Sequence, residues 1–199
     1  MIVSVAEAAA RLARGELVAY PTETVYALGA DALSPAAVER LLDAKGRGGE
    51  KGLSVLIRGA DELARIAAPL PGAAARLAAR FWPGPLTLVV PVADPALAAV
   101  ATPLGVGFRC SPQPSAAALA RAAAGPVVST SCNKSGEPPC VTAAEIEASF
   151  GAALAILGGE PASGLAPSTV VAVAADGALS LLRAGALDFD AVRAAAHSH

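Results

Sequence analysis

Three cations, Lys45, Arg47 and Lys51, fall within seven residues on the stretch LLDAKGRGGEKGLSVLI, interleaved with Gly46, Gly48, Gly49 and Gly52. Only 16% of the chain is charged, so this is a local concentration rather than part of a generally charged surface. Cations at a helix end complement the negative end of its dipole, and glycine stops a helix; that accounts for Lys45 and Arg47. It does not account for Lys51, placed just before the next apolar run, or for a backbone left open by so many glycines. Cations converging on a glycine-rich loop suit a polyphosphate. The chain has no GxxxxGK(S/T) and no GxGxxG motif, so any nucleotide here is held by side-chain cations and not by a Walker cradle.

Two further polar clusters stand at the ends of apolar runs. YPTETVYALGAD presents Thr22, Glu23, Thr24 and Tyr26 after a buried strand, and reads equally as a turn capped by threonines or as a hydroxyl-lined pocket edge. GPVVSTSCNKSGEPP delivers Ser129, Thr130, Ser131, Asn133 and Ser135 on one loop, and six of the seven residues from Ser129 to Ser135 are polar. Ser131 and Lys134 spell SxxK, but that nucleophile motif needs its lysine one helical turn on, and this stretch leaves a strand for a Gly/Pro loop. Arg109 ends VGFR and Arg183 ends LSLLR; an arginine finishing a short apolar strand is placed to grip a carboxylate or phosphate at the strand mouth. Ser168 and Thr169 open STVV beside them in kind. Both histidines lie in the last three residues, which argues against Ser-His-Asp or Cys-His chemistry. What remains is a cleft that binds anions and stabilises charge, as in phosphoryl or nucleotidyl transfer.

The elements that must position these groups follow from pattern. Ser4 and Glu7 have capping-box spacing for a first helix that Gly15 stops. LVAY is a short strand ended by Pro21, and Ser34-Pro35 opens the helix PAAVERLLDAK. LSVLI, LTLVVPV, VGFR and PVVST read as strands; helices run from Pro71-Gly72 to FWPGP and over SAAALARAAAG. Thr142 and Glu145 form a second capping box for AAEIEASFG. STVVAV and LSLLRAG pair as a hairpin about Asp176-Gly177, and DFDAVRAAA closes as a helix. Helices and strands mix without strict alternation, so the expected fold is α/β of the α+β type: a large twisted mixed parallel and antiparallel sheet flanked by helices, with a central concave cleft.

Composition narrows the function. At 199 residues and 54% hydrophobic the chain can bury one sizeable core. Net charge of -2 and 4% aromatics disfavour a global nucleic-acid field or base stacking, so an anion site is local. Cys110, Cys132 and Cys140 form no CxxC pair and fit a reducing cytoplasm. Cys132 and Cys140 with His197 and His199 lack metal-ligand spacing, and no metal site is expected of the protein's own residues. No signal peptide and no run of about 18 uncharged apolar residues is expected to act as leader or membrane span.

YPTETVYALG, AKGR with EKGLSVLI, FWPGPLTLV, STSCNKSGEPP, STVV and LLRAG, in this order, resemble the YrdC/TsaC family of threonylcarbamoyl-AMP synthases from about Gly15 to Gly185. The KxR pair Lys45 and Arg47, with the downstream SxN of Ser131 and Asn133, is that family's signature. The resemblance is to the short bacterial form: residues 1–199 as one domain, with 186–199 a closing helix and tail. It implies condensation of L-threonine, bicarbonate and ATP to threonylcarbamoyl-AMP and pyrophosphate. A downstream tRNA threonylcarbamoyl-transferase complex of TsaD/TsaB/TsaE type then modifies the adenosine beside the anticodon. By the same resemblance Lys45, Arg47, Lys51, Ser131, Asn133 and Arg183 hold ATP, with Lys45 and Arg47 catalytic. Thr22, Arg109, Ser129 and Ser168 hold threonine, and magnesium accompanies the phosphates. Ala27, Gly48 and Cys132 replace the family's usual glycine, proline and alanine. Two competing readings are a double-stranded RNA- or tRNA-binding or ribosome-maturation module without catalysis, which the acidic balance opposes, and a carbamoyl-handling domain of hydrogenase maturation, which usually carries extra fused segments.

Overall fold

A computed structural model describes residues 1–46, 53–161 and 166–197. Its strands are β1 (Ile2–Val3), β2 (Val18–Pro21), β3 (Tyr26–Gly29), β4 (Ser54–Leu56), β5 (Leu86–Val90), β6 (Val106–Arg109), β7 (Val127–Ser131), β8 (Ala155–Leu157), β9 (Thr169–Val173) and β10 (Leu179–Arg183). Helices are α1 (Val5–Ala13), α2 (Pro35–Lys45), α3 (Ala60–Ile66), α4 (Gly72–Phe81), α5 (Pro114–Ala122), α6 (Ala143–Phe150) and α7 (Phe189–His197). The strands join in one ten-stranded sheet, ordered β1-β8-β2-β3-β7-β4-β6-β5-β9-β10. Pairing is mixed: β2–β8, β4–β6 and β5–β9 run parallel, whereas β2–β3, β3–β7, β4–β7, β5–β6 and β9–β10 run antiparallel.

Strand alternation sorts residues onto two faces. On one face Ala19, Leu28, Val55, Leu88, Phe108, Val128, Ile156 and Val171 join one large core with α2, α4 and α7. On the other, Val18, Tyr20, Ala27, Leu56, Val127, Ala155 and Leu157 pack under Leu12 of α1 and Leu119 of α5. That second layer covers the β8-β2-β3 side and, beyond it, takes in only Val127 of β7 and Leu56 of β4 among the buried strand residues. On β5, β6 and β9 the alternate positions are Thr87, Val89, Gly107, Arg109 and Val170, and these line open cavities instead of a core. The cleft is therefore the part of a sheet face that α1 and α5 leave uncovered.

Local chemistry explains most boundaries. Ser34 accepts from the Ala37 amide, Pro35 follows, and α2 ends at Gly46 in the left-handed region, φ 62°. Thr142 and Glu145 form the complete reciprocal cap of α6. The first helix differs from expectation. Ser4 accepts from the Glu7 amide, but the Glu7 carboxylate takes Arg11 Nε at 2.8 Å, so the box is half made. The β9–β10 hairpin turns at Gly177, φ 87°, with Asp176 accepting from the Ala178 amide. YALG forms a strand within a stretch whose sequence reads as a turn or pocket edge, and α3, β1 and β8 carry no pattern that predicts them. These are pieces of two to seven residues, too short to display a period.

Candidate anion-binding cleft

Thr22, Arg109, Ser129, Ser131, Ser168 and Arg183, all picked from sequence, line one cavity of about 510 Å³. Each comes from a strand end or the turn beside it. Thr22 leads the β2–β3 turn, donating its hydroxyl to Val25 O at 2.7 Å and accepting from the amides of Thr24 and Val25. Both readings of this stretch therefore hold: the threonine caps a turn and edges the pocket. Ser129 and Ser131 share one face of β7, and Arg109 ends β6.

The far wall is sewn from the chain's last third. Arg183, ending β10, donates to Ser168 O at 2.8 and 3.2 Å and to Ser168 Oγ at 3.0 Å. Ser168 Oγ also meets Thr87 Oγ1 at 2.9 Å. Beneath them the Thr169 hydroxyl bonds Leu187 O and the Leu187 amide, and the Ala186 amide bonds Pro167 O. Gly185 permits this approach: a Cβ there would lie 2.3 Å from Pro167 O and 2.5 Å from Ser168 C. The glycine of LLRAG is thus a packing requirement.

Lys45 lies behind the wall, 3% exposed at the end of α2. Its ammonium donates to Ser131 O, to Asn133 O at 2.8 Å and to Asn133 Oδ1 at 3.3 Å. Ser131 Oγ donates to the same Asn133 Oδ1 at 2.5 Å, while Asn133 Nδ2 donates to Lys134 O and Glu137 O. The Ser135 amide and the Lys134 ammonium return to Lys45 O and Ala44 O, the last carbonyls of α2. The KxR lysine and the SxN loop are therefore clasped together. Arg47 and Lys51 lie outside the described residues.

Charge is unevenly met in the cleft. Burial, and after it the neighbouring charge of Arg109, pull the Arg183 guanidinium below arginine's usual range. Two guanidiniums that repel across a cavity are a ready seat for an anion. Arg109 Nε and Ser129 Oγ are buried with no hydrogen-bond partner among the described residues. Glu23 stands beside them, 6% exposed, pairing with Arg109 Nη2 and accepting from Ser111 Oγ at 2.5 Å. Sequence reasoning named Glu23 but gave it no role, and it missed Ser54, Ser111 and Thr87; their partners are distant in sequence, so spacing carries no signal for them. A second, more apolar cavity of about 690 Å³ adjoins through Ser54 and Arg183 and is lined by Leu53, Val89, Leu104 and Leu182.

Among the described residues no three His, Cys, Asp or Glu gather into a metal-binding group. The Glu23 carboxylate is already held at both oxygens. This donor set does not fit a divalent ion held by the protein itself. Burial pushes the Cys132 thiol up to about 12, with the adjacent Cys140 adding to the shift. No described helix is long and apolar enough to cross a membrane.

Comparison with known proteins places the chain in a family. The Sua5/YciO/YrdC family model, described as telomere recombination, matches residues 10–185. A threonylcarbamoyl-AMP synthase of Chromohalobacter salexigens is 41% identical over 169 residues, 83% of this chain and 90% of that protein. A threonylcarbamoyl-AMP synthase of Bacillus subtilis is 37% identical over 193 residues, 96% of this chain and 56% of that protein. The crystal structure of P. abyssi Sua5 complexed with L-threonine superposes with a TM-score of 0.88 at 34% identity, over 98% of this chain and 60% of that one. On the extent of these matches, the chain belongs to the Sua5/YciO/YrdC family.

Proposed function

We propose that the protein is a threonylcarbamoyl-AMP synthase, a nucleotidyltransferase that joins L-threonine, bicarbonate and ATP. The observation that carries the reading is the meeting of Arg109, Arg183, Ser129 and Ser168 at one cavity, with buried donors that no described residue satisfies. The relatives' activity and the threonine complex of P. abyssi Sua5 support it. One ten-stranded sheet spans the chain from Ile2 to Arg183, and in this reading residues 1–199 work as one catalytic domain.

The threonine amine and bicarbonate form N-carboxy-threonine with loss of water. A carboxylate oxygen of that carbamate bonds to the α-phosphorus of ATP, the bond to the bridging oxygen breaks, and pyrophosphate leaves. The nucleophile is already an anion, so no histidine base is required. The protein's part is to orient two substrates and neutralise the phosphates. Thr22, Arg109, Ser129 and Ser168 hold threonine, with Arg109 on its carboxylate. Lys45, Arg47, Lys51, Ser131, Asn133 and Arg183 hold ATP, with Lys45 fixing the Ser131–Asn133 loop as well. Arg183 lines both cavities, which suits a nucleotide lying across them, its base toward Leu53, Val89 and Leu104. Magnesium arrives with the nucleotide as part of the substrate. The product passes, in the cytoplasm, to a TsaD/TsaB/TsaE-type complex that transfers the threonylcarbamoyl group to tRNA.

The test is pyrophosphate release from ATP. Release that needs both threonine and bicarbonate is the expected result. Release indifferent to either one, or tRNA binding without turnover, overturns the reading.

A further inference from the structure

We propose that Glu23 is a positioning residue for the amino-acid substrate: it fixes the Arg109 guanidinium at the cleft so that the arginine meets the substrate carboxylate already in place. The inference rests on the reading above that Arg109 takes that carboxylate.

Glu23 is held from three directions. It belongs to the turn after β2, its Oε1 takes Arg109 Nη2 at the end of β6, and its Oε2 takes Ser111 Oγ on the way to α5. Ser111 is 1% exposed, and its hydroxyl also accepts from the Gln113 amide at 3.2 Å. Gln113 in turn caps α5, accepting from the Ala116 amide at 3.0 Å. A buried carboxylate persists only when paired and hydrogen-bonded. Here both oxygens are met, so its position is fixed by packed elements and not by a mobile side chain.

The consequence falls on Arg109. A guanidinium has five N–H donors in one plane, and fixing one end of it fixes the direction of the rest. Arg109 has Glu23 on Nη2, while Nε stays without a partner among the described residues. Arg183 is close enough for its charge to be felt. Without the Glu23 charge, repulsion from Arg183 would favour orientations of Arg109 away from the cavity. Substrate binding would then have to order the side chain, and that cost appears as weaker binding. Glu23 touches no reacting atom in this scheme, so its loss acts on the threonine requirement and not on the chemical step.

The experiment compares the wild-type chain with Glu23→Gln, Ser111→Ala, Arg109→Ala and the Glu23→Gln/Arg109→Ala double variant. Pyrophosphate release is followed against threonine and against ATP, and the threonine-induced rise in melting temperature is measured without ATP. Glu23→Gln is expected to raise the threonine KM about tenfold, as for loss of a charge-assisted contact, with kcat and the ATP KM within about threefold. Ser111→Ala, which leaves the charge but removes one grip, is expected to shift the same constant by about threefold. In the Arg109→Ala background the Glu23 change should add less than about twofold, because coupled residues are not additive. An unchanged threonine KM in Glu23→Gln, a fall confined to kcat, or effects that multiply in the double variant overturn the proposal. If Glu23→Gln does not melt cooperatively, Ser111→Ala decides alone, by the same split. Should wild-type release prove independent of threonine while threonine still raises the melting temperature, the synthase reading fails and the Glu23 role is judged on that thermal shift. Wild-type protein showing neither response to threonine removes the basis of both.

Discussion

The two ends of the cleft are built on opposite plans. At one end Lys45, Ser131 and Asn133 satisfy one another, and the loop after β7 closes the carbonyl end of α2 in return. At the other end Arg109 and Ser129 keep buried donors unmatched among the described residues, and Arg183 stands near a like charge. A polar cluster that is complete in itself sets shape before a ligand arrives. A cluster with unmet donors and repelling cations gains most when an anion arrives. The first end is therefore scaffold as well as contact. The second is where binding changes the energy of the site.

Replacement of Lys45 puts this contrast under the greatest strain. Lys45→Ala and Arg47→Ala are both expected to lower turnover by about a hundredfold or more, as for loss of a charge-stabilising donor. Lys45→Ala should also destabilise the fold, by about 2 kcal/mol, because buried oxygens of Ser131 and Asn133 lose their donor. Thermal melting of Lys45→Ala against the wild type checks it: a variant that melts like the wild type would mean that the clasp is not a scaffold.

Arg109→Ala and Arg183→Ala probe the other end. Loss of Arg109 strands a buried Glu23 and is expected to cost about 3 kcal/mol, together with a threonine KM raised about tenfold. Loss of Arg183 should leave stability closer to wild type, since burial and Arg109 already disfavour its charge, and should raise the ATP requirement instead. Equal effects of both variants on both substrates would erase the division of the cleft into a threonine side and a nucleotide side.

How much of this could be read beforehand depends on the range of the signal. Arg109 and Arg183 were legible because each closes an apolar strand, a pattern local in sequence; the β5–β6 register runs unbroken to Arg109, whereas the β9–β10 register shifts between Leu181 and Arg183. The Ser129–Asn133 loop was legible from its own density of hydroxyls. Glu23 was not, because its meaning lies in Arg109 and Ser111, 86 and 88 residues away. Ser54 and Thr87 were hidden for a related reason. They sit inside apolar strands, and only the reach of the α1–α5 layer decides that their face of the sheet is a cleft and not a core. Arg47 and Lys51, the strongest of the early signals, fall outside the described residues, so the lysine clasp and the two arginines carry the site here.

Gly185→Ala is a subtler attack on the open end, where Ser168 and Arg183 meet. The new methyl would meet Pro167 O and the Ser168 backbone at contact distances that no relaxation of a side chain relieves. A cost of about 2 kcal/mol is expected from overpacking. Displacement of Ser168 would loosen its bonds to Arg183, so the ATP and threonine requirements should rise together while Lys45-dependent stability is untouched. Melting curves with the two titrations distinguish this from a simple global loss of stability.

The smallest effect belongs to Cys132, between Ser131 and Asn133 at the closed end. It is fully buried, and burial with the adjacent Cys140 pushes its thiol up to about 12. Raising a thiol's pKa depletes the thiolate at neutral pH, so the native protein should resist alkylation there. Iodoacetamide at pH 8, read by peptide mass, should label Cys132 only after unfolding. Cys132→Ala should change turnover by less than about twofold, since a buried free cysteine behaves as a small apolar group. Rapid labelling in the native state, slowed by ATP, would mean that the Ser131–Asn133 loop opens in solution. The end of the cleft that is complete in itself would then also be the end that moves.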